Sequence, residues 1–288
     1  MVNRHGVISV FTLADCIWKR RIDLSKELEN LIAKRFISRK DVKAVQTSDG
    51  NYRPVNSPWG RSDLADHLAG TTTLGHYMLA KDDTCKLIAF DVDIEQRTDK
   101  NPVGWLPTGP DFTDFVEDNP RDAWTDRKNA FGRAWLKLEL RSCAHLLVQS
   151  VEKLLGVPVA AAYSGSKGIH VYAFTGSVSG SDARDGAEIV LESLPQFELF
   201  RGNNFFRISD PRPGELFSNL SIEIYPKQSA VESKDGYGNL MRLPLGRNKK
   251  SKDPTFFMDM TSPMGQMVPL DPMIALSDGY KPWTSVRD

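Results

Sequence analysis

Apolar positions alternate with a period of two from Cys85 to Asp93. In an extended segment Ile88, Phe90 and Val92 share one face, and Leu87 and Ala89 share the other with Asp91 and Asp93. The pattern predicts a strand with one apolar face under helices and a second face that begins apolar and ends acidic. The same pattern returns from Leu220 to Gln228, where Ile222 and Ile224 oppose Ser221, Glu223 and Tyr225. Two short apolar runs, Val159 to Tyr163 and Ile169 to Phe174, predict strands joined by the small residues 164–168, with His170 and Tyr172 on one face. Thr73 to Ala80 reads as a further strand, leading into the acidic one through a hairpin at Lys81-Asp82-Asp83.

Helical spacing marks Leu24 to Ala33, a short helix from an N-cap at Ser62 to Leu68, and Asp182 to Leu194. It also marks Asp126 to Leu155, where Phe131, Trp135, Leu138, Leu146 or Leu147, Val151 and Leu154 form a stripe stopped by Gly156 and Pro158. Three stretches lack a period: after the run Val7 to Leu13 at the start, Arg97 to Trp124, and the last thirty residues with Pro263, Pro269 and Pro272. A stretch as long as the middle one either covers a site or is a surface insertion. The final one is a terminal wrap or the start of a linker. Mixed strands and helices over 288 residues predict one large α/β domain, or two lobes sharing a cleft.

Charge narrows the partners. Lys plus Arg and Asp plus Glu both number 37, so no global field draws the chain to nucleic acid or membrane, and any polyanion needs a local patch. Cys16, Cys85 and Cys143 are few and scattered, which speaks against a zinc knuckle or a disulfide framework and for a reducing compartment. No stretch has the apolar length of a signal peptide or a membrane span. The expected location is the cytoplasm, or a host's cytoplasm for a viral protein.

The candidate chemistry begins with the acids. Asp91 and Asp93 stand roughly 6.5 to 7 Å apart along their strand. Each loses hydration there and repels the other, and a divalent cation with hard oxygen ligands, Mg²⁺ or Mn²⁺, compensates both. An isolated Asp-x-Asp is usually a strand running out into solvent, so its company matters. Ser164-Gly-Ser-Lys-Gly168 combines small residues, exposed N–H groups, the Ser164 and Ser166 hydroxyls and the Lys167 cation, with His170 just beyond. That is either a phosphate cradle or a hairpin turn with a solvated lysine. It is not a Walker-type loop, since the spacing is absent and no helix follows. Phe200 to Arg207 interleaves Arg201 and Arg207 with Phe205 and Phe206, which suits single-stranded nucleic acid if exposed and a buried strand if not. Arg242, Arg247, Lys249, Lys250 and Lys252 make the most basic region, a phosphate patch or a wet loop. Together three acids can hold two cations about 3.5–4 Å apart while the basic turn grips a triphosphate. The matching reaction is nucleotidyl transfer, in which a 3′-hydroxyl attacks the α-phosphate and pyrophosphate leaves.

Phe90-Asp-Val-Asp93, Ser164-Gly-Ser-Lys-Gly-Ile-His170 and Ile222-Glu-Ile-Tyr-Pro-Lys227, in that order, resemble the three motifs of the archaeo-eukaryotic primase superfamily. His76-Tyr77, Asp83-Thr-Cys85, Pro226-Lys-Gln228, Gly238-Asn239 and Leu243-Pro-Leu-Gly246 resemble the primase-polymerases of TOTE conflict systems and their CRISPR-associated and phage relatives. The similarity spans roughly residues 60 to 260. It implies an α/β (α+β) catalytic module: an N-terminal αβ lobe and a C-terminal RRM-like sheet lobe with the site in the cleft between them. Residues 1–288 would be a single catalytic domain, with 260–288 as a tail or linker. Asp91, Asp93 and Glu223 would be the catalytic acids holding two Mg²⁺ or Mn²⁺ ions. Glu223 is one methylene longer than the Asp many members carry. No zinc is expected, because the Cys and His clusters are missing. Ser164, Ser166, Lys167, Gly168 and His170 would hold the triphosphate, assisted by Arg242 and Arg247, with Asn239 and Lys227 near the same pocket. Arg201, Phe205, Arg207, Lys249 and Lys250 would meet the nucleic acid.

The implied activity is that of a template-dependent DNA primase-polymerase. Its partners would be single-stranded DNA template and primer, nucleoside triphosphates, and helicase or nuclease modules fused or acting in trans, without a membrane. Two other functions use the same residues. A two-metal phosphodiesterase or nuclease needs the acids but not the cradle, and a non-catalytic single-stranded nucleic-acid-binding module needs neither intact.

Overall fold

The computed structural model describes residues 26–95, 104–231 and 236–277. In chain order the elements are α1 (Lys26–Phe36), β1 (Lys43–Gln46), β2 (Tyr52–Val55), α2 (Arg61–Leu68), β3 (Leu74–Tyr77), β4 (Thr84–Cys85) and β5 (Ile88–Ile94). Next come β6 (Gly104–Pro107), β7 (Phe115–Asp118), α3 (Pro120–Thr125), α4 (Ala130–Leu154), β8 (Val159–Tyr163), β9 (Gly168–Ala173), β10 (Val178–Ser179) and α5 (Gly180–Glu192). The last are β11 (Glu198–Arg201), β12 (Phe205–Arg207), β13 (Leu220–Tyr225), β14 (Leu240–Arg242), β15 (Phe256–Phe257) and α6 (Pro272–Ser277).

The acidic strand β5 lies at the centre of a seven-stranded sheet of order β11-β12-β13-β5-β9-β8-β15, every pair antiparallel. Its two faces separate as the alternation requires. Ile88, Phe90, Val92 and Ile94 enter one core with Leu136, Leu140 and Leu147 of α4 and Ala187 and Val190 of α5. Leu87 and Ala89 enter a second core with Leu28, Ile32 and Phe36 of α1 and Tyr172 of β9. The chain is therefore a mixed α/β fold with antiparallel sheets. A smaller sheet, β14-β3-β1-β2, joins a late strand to three early ones, so the expected division into an N-terminal and a C-terminal lobe is crossed by β14.

Several expectations are corrected. The hairpin between Thr73–Ala80 and β5 does not form: β3 pairs with β1 and β14, and the turn at 81–83 leads into β4, which pairs with β10 before the chain enters β5. α2 begins at Gly60 as N-cap rather than Ser62, with the Asp63 carboxylate accepting from the Gly60 N–H. Within Arg97–Trp124, read as irregular, residues 104–125 form the hairpin β6–β7 and α3. The rest of that stretch, and the run Val7 to Leu13, lie outside the described residues. The stripe assigned to α4 holds at Leu147 and Val151, with Trp135 and Leu146 packed beside them, but not at its ends. Leu136, Leu140, Cys143, Ala144, Leu147 and Val151 are buried, whereas Phe131 and Leu154 are exposed at the helix ends. Each buried leucine contributes about 1.5–3 kcal/mol, so the longer central run decides the orientation over two terminal residues.

Nor is the segment after 258 a loose linker as far as Ser277. The buried Arg141 of α4 donates to the carbonyls of Asp259, Ser262 and Gln266, and α6 packs beside α1. Cys85 and Cys143 are buried free thiols, as small apolar residues would be. No helix among the described residues is long and apolar enough to cross a membrane.

One buried histidine ties β3 to the chain just past its neighbour β14 in the small sheet. The Leu74 N–H donates to His67 Nδ1, and His67 Nε2 donates to the Pro244 carbonyl 2.9 Å away. Burial holds the His67 pKa down at about 4. The folded state keeps the ring neutral while the unfolded chain protonates it near 6.5, so this contribution is intact above pH 6.5 and is lost as pH falls towards 4. Denaturant unfolding from pH 7 to pH 4 is expected to show a loss of about 3 kcal/mol that His67→Gln flattens. An unchanged slope in the variant would contradict this role.

Candidate active site

Pairing across the large sheet assembles the site in two rows. Phe205, Glu223, Asp91, His170 and Ala162 are direct partners on β12, β13, β5, β9 and β8. One step on, Arg207, Ser221, Asp93 and Gly168 are partners in the same way. Directly opposed residues share a face with Cβ atoms about 4.5–5.5 Å apart, so three carboxylates and an imidazole stand together at the end of the sheet.

Their electrostatics are those of crowded charge. The Asp91 Oδ1 is buried without a hydrogen-bond partner, 3.4 Å from His170 Nε2. Burial first, then the neighbouring Asp93 and Glu223 carboxylates, push the Asp91 pKa up to about 8, with Lys167 and Arg242 opposing. His170 is driven the other way, to about 3, by burial and then by the Arg242 and Lys167 cations. Asp93 is ion-paired with Lys167. Glu223 accepts from Lys227 Nζ at 2.7 Å and from the Tyr225 hydroxyl at 3.1 Å. The expectation that the three acids meet at a shared point is thus met in register but not in side-chain position. Asp93 and Glu223 are each paired with a lysine, and no ready-made group of three metal-ligating side chains stands among the described residues.

The turn between β8 and β9 is held by its oxygens. Arg242 donates to the Ser164 carbonyl and the Ser251 hydroxyl to that of Gly165. Trp124 Nε1 and the Tyr163 hydroxyl donate to the Ser166 carbonyl, and the Ile94 N–H to that of Lys167. Among the described residues the N–H groups of Gly165, Ser166 and Lys167 donate to no protein acceptor. Such a row of free amides is what an anion nest requires. Gly165, at φ +75°, takes the left-handed conformation that the turn demands.

The description that matches this chain is the archaeo-eukaryotic primase domain of the TOTE conflict system, over residues 24–208. The chain belongs to that family. It is therefore a member of a primase-polymerase-like family of nucleotidyltransferase type. A search of the curated proteins finds no match. The matched segment carries Asp91, Asp93 and the turn of this primase domain but ends before Glu223, whose place rests on its pairing with Asp91.

The other expected site residues of the primase domain divide. Asp93, Glu223, Lys167, Arg201, Phe205 and Arg207 line a cavity of about 440 Å³ beside Asp91. Ser164 accepts from the Gly168 N–H through Oγ and shapes the turn. Asn239 accepts from the Lys227 N–H and so fixes the chain behind that lysine. Arg247 and Ser166 line a second cavity of about 750 Å³ with Arg127 and Lys252. Arg207 lines the cavity beside Asp91 but is already engaged. It is buried in a paired strand and ion-paired with Glu95 at 2.8 Å, with the Phe200 ring beneath it, which is the buried-strand alternative of the sequence. The Lys249 ammonium donates to the Gly70 and Thr71 carbonyls just past α2. Lys250 stays exposed, and Arg201 lies over Phe205 at 4.9 Å.

Glu95 and Arg121 were not foreseen in that cavity. Glu95 continues the same alternation by one more step, a signal that was present. Arg121 comes from α3, inside a stretch without a period.

Proposed function

We propose that this chain is a template-dependent DNA primase-polymerase that adds nucleotides to a 3′-hydroxyl, or starts a primer on single-stranded DNA, with release of pyrophosphate. One observation carries the reading: the row Glu223–Asp91–His170, with Asp93 one step on, stands beside a turn whose carbonyls are tied back and whose amides are free. The donor set suits a pair of hard cations. It offers three carboxylates, an Asp91 oxygen without a donor, and two lysines that supply counter-charge to Asp93 and Glu223. Asp91, Asp93 and Glu223 would hold Mg²⁺ or Mn²⁺, which when bound lowers the pKa of the attacking hydroxyl and steadies charge on the phosphoryl group.

The chain's own groups then do the rest. The amides of Gly165, Ser166 and Lys167 bind the triphosphate, and Lys167 exchanges Asp93 for a phosphate oxygen. His170 donates from Nε2. Arg242 keeps the turn in place through the Ser164 carbonyl, and Arg201 and Phe205 offer a cation and a ring to the template strand. The nucleic acid, primer and any helicase or nuclease module belong to this proposal.

The test is synthesis on a single-stranded template, primed and unprimed, with each metal and each nucleotide pool. Incorporation is expected in wild type and absent in Asp93→Ala, and Lys167→Ala is expected to lose about a hundredfold. DNA cleavage that survived Lys167→Ala, with no incorporation in any variant, would leave the nuclease in place of the polymerase.

A further inference from the structure

We infer that Tyr172 is a positioning residue whose hydroxyl fixes His170 as the Nε2–H tautomer, aimed along the acid row. Tyr172 follows His170 by two residues on β9, so both side chains share the face that carries Asp91. Its hydroxyl lies 2.8 Å from His170 Nδ1, and both residues are buried. Among the described residues that nitrogen is the one hydrogen-bond partner of the phenol. A phenol has a single hydrogen to donate. Were Nδ1 to carry the ring hydrogen, the phenolic hydrogen would be buried without an acceptor, an arrangement that folded proteins avoid. The hydroxyl therefore donates, Nδ1 accepts, and the neutral ring keeps its hydrogen on Nε2.

That nitrogen faces Asp91 Oδ1 at 3.4 Å without a hydrogen bond forming between them, so its N–H remains available to an anionic oxygen arriving beside the acids. Tyr172 is itself held still. The Phe36 ring meets it edge-on at 5.0 Å, and Phe174 stacks against it at 6.4 Å. A donor fixed in direction in this way suits a phosphate oxygen better than a ring free to exchange tautomers. The consequence for a nucleotide rests on the function proposed above, but the tautomer does not.

The test is ¹⁵N NMR of the imidazole nitrogens in the full chain, with His170 assigned among five histidines by comparison with His170→Gln. Wild type is expected to show a protonated Nε2 and a bare, hydrogen-bonded Nδ1. Tyr172→Phe keeps the ring and removes the hydroxyl; it is expected to mix the tautomers and to weaken binding of dATP with Ca²⁺ about tenfold. Should that variant not fold, the wild-type spectrum alone decides. A protonated Nδ1 in wild type, or the same spectrum in Tyr172→Phe, overturns the inference. If the tautomer shifts but dATP binding is unchanged in both Tyr172→Phe and His170→Gln, the positioning role stands and the nucleotide reading of the site falls.

Discussion

Asp91→Asn should lose nucleotide incorporation by a factor on the order of a thousand and, in the same protein, become more stable at alkaline pH. The two effects share one cause. Asp91 is half-buried in a row of crowded carboxylates, with its Oδ1 closed off from solvent, so its ionised form is disfavoured and its pKa is pushed up to about 8 from an ordinary 3.8. A carboxyl with a raised folded-state pKa contributes fully below its unfolded value and loses that contribution as pH climbs through the folded one. Asn keeps the shape and removes the charge. In metal-free buffer the variant should therefore gain stability over wild type as pH rises from 4 to 9, with little or no gain at pH 4. Denaturant unfolding with a chelator measures the first effect and primer extension the second. Stability given up for function is a common pattern at active sites. A variant that stayed active, or lost stability at pH 9, would remove Asp91 from the role assigned to it.

Gly168→Ala is the second large effect. A Cβ at 168 would stand 2.2 Å from Asp93 Oδ1 and 2.5 Å from the Val92 carbonyl oxygen. The first neighbour could swing away, but the second is backbone in the middle of β5 and cannot. The expected cost is about 1–3 kcal/mol of stability, together with loss of incorporation because the Asp93 carboxylate is driven off its position. Gly156→Ala is the control. Its φ of +62° is strained for alanine, yet no atom lies within 4 Å, so it should cost about 1–2 kcal/mol and leave activity intact. Thermal unfolding and extension assays on the two variants separate backbone strain from a crowded site. Equal activity in both would mean that the contact over Gly168 has no part in the chemistry.

Much of this site could be read from the alternation alone. The faces of β5 and β13 follow from single side chains placed two apart, and antiparallel pairing then had to bring Glu223 opposite Asp91 or leave it in another row. Which of these occurred is a matter of register, which local sequence does not specify. The partner of β3 was unreadable for the same reason: β14 lies far along the chain, and a polar turn at 81–83 looks alike whether it closes a hairpin or links two sheets. Helix α4 was legible along with part of its buried face, Leu147 and Val151, but not its ends, since a long helix offers more than one apolar stripe and the sheet beneath it chooses. The basic residues were the least legible. Lys249 and Arg207 carry the charges expected of phosphate contacts, but carbonyls and Glu95 have already engaged them. Lys167 and Lys227 came out differently again, as counter-charges to the acids themselves.

The central claim is that Asp91, Asp93 and Glu223 bind cations together beside a turn that grips a triphosphate. Calorimetric titration of Mn²⁺ into the chain, with and without a non-hydrolysable nucleoside triphosphate, tests it most directly. The account predicts two Mn²⁺ ions per chain in the presence of the nucleotide, and loss of that binding in Asp91→Asn and Glu223→Gln. Mn²⁺ binding of equal stoichiometry and affinity in wild type and both variants would contradict it.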